Sequence, residues 1–248
     1  MANINTHRPF EDKMYEEILS EIHDEWFRGI PESAARQIKL SAPDLTPYRI
    51  VDLGCGSGVL LKSLINDCST IHGFDISESM IGRCRNNVPG GRFAVSDVLE
   101  VKIPEANVVT MVGEILSYAA AGLDQSMEAV QTLFDNISKA LEINGLFLLD
   151  FLGDRHDYTG NFLHEHSDFT IFAKVSARDE IVVREIYSFK RSGNCYKKSV
   201  ETHRLRMFDE TVVSRMLEKS GFSVSRLDGY AQEAVLPGRT AFDCRKIV

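Results

Sequence analysis

The chain has 248 residues, 44% hydrophobic and 26% charged, with a formal net charge of −8. That length suits one α/β domain with an insertion, or two small domains, and the composition is that of an ordinary globular protein. The acidic balance argues against nucleic acid as a main partner, and no run approaches the ~20 apolar residues of a membrane helix.

Cys55, Cys68, Cys84, Cys195 and Cys244 are scattered without C-x-x-C pairing, which reads as reduced thiols. The N-terminus, Met-Ala-Asn-Ile-Asn-Thr-His, lacks the charged and apolar regions of a secretion signal. A cytoplasmic location is expected.

In chain order, residues 1–47 read as a helical cap. Phe10, Met14, Tyr15, Ile18, Leu19, Ile22 and Trp26 recur at helical spacing. Pro31 is expected to open a second helix, Glu32 to Leu40, and Pro43 and Pro47 to mark a linker.

The run Tyr48-Arg-Ile-Val-Asp-Leu-Gly-Cys-Gly-Ser-Gly58 then places an apolar strand before glycines at every second position. An amphipathic segment, Val59 to Ile65, follows at once. Strand, glycine turn and helix make a corner where a ligand can approach bare backbone, with helix N–H groups facing it. Asp75 closes a second apolar run, Thr70 to Asp75, where a carboxylate can take both hydroxyls of a ribose. The dinucleotide fingerprint G-x-G-x-x-G/A wants a small sixth residue. Counted from Gly54 that position is Val59, and from Gly56 it is Leu61. A nicotinamide or flavin oxidoreductase is therefore the weaker alternative.

Strand–helix alternation continues to residue 151, with helices expected at Glu78–Asn86 and Asp124–Leu141. It implies a doubly wound, mainly parallel sheet with its crevice at the strands' C-terminal ends. Residues 152–208 add three strand-like runs, Asp168–Val175, Glu180–Lys190 and Cys195–Met207, with a hairpin turn at Arg191–Asn194. Such an antiparallel insertion would lie over the crevice as a lid. Asp209 is placed to cap a helix that runs to Ser220 and ends at Gly221. Phe222–Asp228 and Arg239–Arg245 are expected as the last two strands. Residues 48–151 and 209–248 thus form the core.

The Val-Asp-Leu-Gly-Cys-Gly-Ser-Gly run resembles motif I of the class I S-adenosylmethionine methyltransferases, with Asp52 two residues before the first glycine. Gly73-Phe-Asp75-Ile-Ser-Glu-Ser-Met80 resembles the second motif and Ser96-Asp97-Val98 the third. Asn107 to Tyr118 resembles the fourth strand and its active-site end. Leu141 to Asp150 resembles the turn into strand five, with Ile-Asn-Gly for the usual Pro-Gly-Gly. His23 to Phe27, Glu201 to Arg206 and Leu236 to Phe242 resemble a small-molecule subset of that family.

The resemblance implies a seven-stranded Rossmann-like sheet. It also implies S-adenosylmethionine as cofactor, S-adenosylhomocysteine as product, and in-line methyl transfer to an oxygen, nitrogen or carbon of a small molecule. It places the cofactor at Asp52, Gly54, Cys55, Gly56, Gly58, Asp75, Ile76, Met80, Asp97, Val98, Val112 and Gly113. A non-methylating S-adenosylmethionine-binding protein or a cyclase would keep the same pocket.

Position supplies the catalytic candidates. Glu114 and Tyr118 follow strand four, and Glu114 is expected either to orient or deprotonate the acceptor or to cap the next helix. His203 lies on the third inserted strand, where Glu201, His203 and Leu205 share a face. His203 reads as a base or a hydrogen-bonded lid residue, and His23 could close the pocket from the N-terminal helix. His164 and His166 lack an evident third metal ligand, so they read as a solvated loop and no metal is expected. Phe162, Phe169, Phe172 and Tyr187 hint at a flat or apolar acceptor, or form lid core. Oligomeric state stays open, a homodimer included.

Overall fold

The computed structural model describes residues 14–122, 127–231, 233–234 and 237–247. Parallel strands β1 (Tyr48–Leu53), β2 (Cys68–Asp75), β3 (Arg92–Val95), β4 (Ala106–Met111) and β5 (Leu141–Gly153) pair in the order β3-β2-β1-β4-β5. Apolar side chains point alternately to its two faces. Val51, Leu53, Val109, Met111, Phe147 and Leu149 pack into one buried cluster, and Ile50, Val108, Leu146 and Leu148 into the other. A sheet covered on both faces explains why these strands read as continuous apolar runs.

The helices that cover it are amphipathic. In α6 (Glu128–Ala140), Val130, Leu133, Phe134 and Ile137 are buried against the first cluster. Truncating a fully buried phenylalanine such as Phe134 to alanine costs roughly 3–5 kcal/mol. The expected start of this helix at Asp124 falls outside the described residues. On the other face, α2 (Gly29–Ser41) supplies Ala34, Ala35 and Ile38. It begins before Pro31, which sits in its first turn, a place that needs no N–H bond. Helices α1 (Glu17–Trp26), α3 (Val59–Leu64), α4 (Glu78–Asn87), α5 (Ile115–Ala119) and α7 (Glu210–Lys219) complete the set. Asp209 caps α7, its carboxylate accepting from the Thr211 and Val212 amides.

The insertion holds four strands, not three: β6 (Gly160–Glu165), β7 (Phe169–Arg178), β8 (Ile181–Ser192) and β9 (Cys195–Phe208). All three pairings are antiparallel. Strand β6 escaped the sequence reading because it is an edge strand with Phe162 and Leu163 exposed, so no inward stripe repeats along it. His164 therefore lies on a strand rather than in a loop, stacked on Trp26 with ring centroids 3.4 Å apart.

Strand β9 runs parallel to β5 at Leu152–Met207 and Gly153–Phe208, which joins the inserted sheet to the core. Strand β10 (Phe222–Leu227) and, after the short hairpin β11 (Gly229–Tyr230) and β12 (Glu233–Ala234), β13 (Arg239–Lys246) close the sheet antiparallel beside β5. Helix α1 packs on the inserted sheet through Leu19, Ile22, Phe169 and Ile171. Among the described residues no helix is long and apolar enough to cross a membrane.

Candidate functional site

The glycine turn sits at the C-terminal end of β1. Gly54 and Gly56 have φ of 77° and 51°, conformations that favour glycine. They do different work. A Cβ on Gly54 would lie 2.4 Å from Ile115 Cδ1, so that glycine is a packing requirement. A Cβ on Gly56 would meet nothing nearer than Met80 Sδ at 4.0 Å, so that glycine borders open space. Gly58 behaves like Gly54: its Cβ would meet Cys84 Sγ at 2.6 Å, which makes it a contact point for α4.

Carboxylates flank the turn. Asp52, 3% exposed, accepts a hydrogen bond from Thr110 Oγ1 at 2.6 Å across the β1–β4 pair. Burial pushes its pKa up to about 7, against a lowering by Thr110 and a further push from Asp75. Asp75 accepts from the Gly56 amide and the Ser77 amide, both at 2.9 Å, so it fixes the turn it faces. Burial also raises its pKa, opposed by those amides. The Cys55 thiol is held well above its usual pKa, first by hydrogen bonding with Cys84 and then by burial, which suits packing rather than attack.

Beyond β4 the chain turns at Gly113 and Glu114, whose amides donate to the buried Asp150 carboxylate. Glu114 has φ 65° and begins α5, yet its side chain makes no cap bond. Its carboxylate instead accepts from Arg184 of β8 at 2.7 and 3.0 Å and from Arg239 Nε of β13 at 2.9 Å. Burial alone would raise the Glu114 pKa; Arg239 and Arg184 outweigh it and hold the group below the usual value. A carboxylate so occupied is a poor proton acceptor, so its place in the site is that of an anchor for two guanidiniums.

A second chain of polar groups lies beside it. Tyr118 Oη is 3.0 Å from His203 Nδ1, and His203 Nε2 is 3.0 Å from Glu201 Oε2. Glu201 and His203 lie on the buried face of β9, as the alternation predicts. Glu201 also accepts from the Tyr15 amide at 2.7 Å, and Tyr15 Oη is 3.3 Å from Tyr118 Oη. The Tyr15 carbonyl accepts from Ser77 Oγ, so residues just before α1 strap the inserted sheet to the end of β2. Burial raises the Tyr15 and Tyr118 pKa values, so both phenols stay neutral.

These parts surround one cavity of about 350 Å³. Of the sequence-predicted residues, its wall includes Asp52, Gly54, Cys55, Gly56, Val112, Gly113, Glu114, Tyr118 and His23. It does not include Gly58, Asp75, Ile76, Met80, Asp97, Val98 or His203. Ile76 is exposed, Met80 and Val98 are buried, and Asp97 accepts from the Leu99 amide. Arg184, Arg239 and Tyr15 are on the wall and were not foreseen. Arg184 shares a β8 face with Val182 and Ile186; an arginine on an apolar stripe was the available signal.

Residues 50–145 match the family model described as a methyltransferase domain. The trans-aconitate 2-methyltransferase of Delftia acidovorans is 26% identical over 216 residues, covering 82% of this chain and 76% of that protein. A structure of an S-adenosylmethionine-dependent methyltransferase from Clostridium acetobutylicum superposes with a TM-score of 0.79 at 18% identity, covering 92% of this chain and 98% of that one. S-adenosylmethionine-bound CalS10, an amino pentose methyltransferase from Micromonospora echinaspora, superposes with a TM-score of 0.69 at 19% identity, covering 90% and 91%.

Proposed function

We propose that this chain is a class I S-adenosylmethionine-dependent methyltransferase and that it moves the cofactor's methyl group onto a small molecule enclosed beneath the inserted sheet. One observation supports this reading above the others. A single cavity runs from the glycine turn at Gly54–Gly56 to Arg184 on β8, large enough for a small acceptor and closed over by Tyr15 and α1.

The residues at the turn fit the cofactor. Gly56 leaves a cradle that a Cβ would fill. Asp52 offers a carboxylate to a cation, and Asp75, held by the Gly56, Ser77 and Ile76 amides, keeps lone-pair capacity for a hydroxyl. When bound, S-adenosylmethionine supplies a methyl group on a sulfonium whose thioether leaves readily. The protein's own task is to orient the acceptor, exclude water and manage any proton. Leu19, Ile171, Ala173 and Ile186 give the cavity an apolar roof. With His203 Nε2–H donating to Glu201, Nδ1 accepts from the Tyr118 hydroxyl. Tyr118 can then take a proton from the acceptor while passing its own to His203. Glu201 fixes the tautomer, as the carboxylate of a hydrolase triad does.

The family alone leaves acceptor chemistry open: one relative is named for aconitate, one structural neighbour for an amino pentose. Calorimetry with S-adenosylmethionine, S-adenosylhomocysteine and NADH tests the pocket. Release of S-adenosylhomocysteine across a panel of acids, amines, phenols and sugars tests the reaction. Binding of S-adenosylmethionine with no turnover anywhere would favour a non-methylating protein, and binding of NADH instead would favour an oxidoreductase.

A further inference from the structure

Resting on the methyltransferase reading, we propose that the acceptor is a small organic anion whose carboxylate or similar oxyanion group docks on Arg239 and Arg184. The charges on the cavity wall are segregated. Asp52 stands at the glycine turn. Beyond it stand Arg184 and Arg239, with Glu114 as the carboxylate they share. Asp150 lies behind the Gly113 and Glu114 amides, is bonded to Tyr230, and is not part of the wall. The wall there thus carries two guanidiniums to one carboxylate.

The hydrogen-bond pattern points the same way. Glu114 takes two N–H groups from Arg184 but only Nε–H from Arg239. The two terminal nitrogens of Arg239 have no acceptor among the described residues, although its side chain is only 11% exposed. Neither nitrogen is sealed from the cavity or solvent, since the described residues leave just one buried polar side-chain atom unpaired, the Tyr48 hydroxyl. A guanidinium anchored at Nε, with its outer edge free, is preset for a bidentate oxyanion. Glu114 holds both guanidiniums in place without saturating them.

The roof sets the rest of the acceptor. Ile171, Ala173, Val175 and Ile186 line the cavity from β7 and β8, on the same sheet face as Arg184, which pairs with Val175. An anionic head with an apolar body matches both surfaces. A protonated amine would face Arg184 and Arg239 with like charge and would need Glu114, whose oxygens are already shared.

The test uses the full chain loaded with S-adenosylhomocysteine. Isothermal titration compares aromatic and alicyclic carboxylates, each with the primary amide and primary amine of the same skeleton. The expected result is at least one carboxylate bound ~tenfold or more tightly than its amide, a difference of about 1.4 kcal/mol, with the amine weakest. Arg239→Gln should bring that carboxylate down to the amide while leaving S-adenosylhomocysteine affinity unchanged. The carboxylate–amide contrast on the unmodified protein stands even where the variant folds poorly. Equal binding of amides, preference for amines, retained selectivity in Arg239→Gln, or no carboxylate bound at millimolar concentration would overturn the inference while S-adenosylhomocysteine binding keeps the methyltransferase reading. Failure to bind S-adenosylhomocysteine would remove both.

Discussion

Glu114 and Arg184 form a two-pronged ion pair across the junction of core and inserted sheet, with contacts of 2.7 and 3.0 Å between groups 70 positions apart in the chain. Glu114 is nearly inaccessible, Arg184 23% exposed and Arg239 11%. Losing the carboxylate would strand two guanidiniums in a place where water reaches poorly.

Glu114→Gln should therefore destabilise the fold by about 3 kcal/mol, the lower end of the cost of breaking a buried pair, because Arg184 keeps some water contact. The pH dependence follows from the depressed Glu114 pKa. Its stabilisation is present above the ordinary glutamate value of 4.5 and disappears as pH falls through the lower folded value. Urea midpoints from neutral to acid pH check this: the difference between wild type and Glu114→Gln should narrow on acidification. A constant difference would mean the cost is one of packing.

Two glycines in one turn should respond differently to the same change. Gly54→Ala adds a methyl 2.4 Å from Ile115, on top of left-handed strain. Gly56→Ala carries the strain alone, about 1–2 kcal/mol, because its Cβ points into open space. Gly54→Ala should lower the melting temperature more. Gly56→Ala should melt closer to wild type and lose S-adenosylmethionine affinity at least ~tenfold, the loss deepening in Gly56→Val. Calorimetry beside thermal melts separates the two effects.

That contrast also marks what the sequence could reveal. The glycine turn, Asp52 and the parallel strands are local patterns, so short-range rules read them well. The split between Gly54 and Gly56 depends on Ile115, some sixty residues on, and no spacing rule carries that information. Glu114 was legible as a polar residue past strand four, but its role was not: its partners arrive from β8 and β13. Tyr15 fell within a helical periodicity yet precedes α1 with φ 53° and straps the crevice. The Glu201–His203 face was readable from alternation along one strand, whereas its bond to Tyr118 needed the fold.

Asp52 should make cofactor affinity depend on pH near neutrality. Its pKa of about 7 means that much of it is protonated at pH 6 and ionised at pH 8. A cationic ligand favours the ionised form, so S-adenosylmethionine should bind up to about tenfold more tightly at pH 8 than at pH 6. The stability effect has the opposite sign. A carboxylate whose folded pKa is raised penalises the fold as pH climbs from the ordinary 3.8 to about 7. Asp52→Asn should thus be more stable at pH 8, by on the order of 2 kcal/mol, while losing both affinity and its pH dependence. Titrations and melts at the two pH values decide it.

Tyr118 and His203 should fail together. Tyr118→Phe removes the hydroxyl that faces the cavity, and His203→Asn keeps an acceptor near the Nδ1 position while removing the second nitrogen and the capacity to hold a proton. Once an acceptor is in hand, each change should lower kcat about 10²–10⁴-fold where the attacking atom must shed a proton, with cofactor affinity little altered. The double variant should be no slower than the worse single one, because the groups act as one path. Glu201→Gln, which still accepts from Nε2–H, should retain more activity than Glu201→Ala. Independent, multiplying losses would mean that the two side chains serve separate ends. An unchanged rate in Tyr118→Phe would mean that the nucleophile reaches the methyl group already deprotonated, as a reacting carboxylate would.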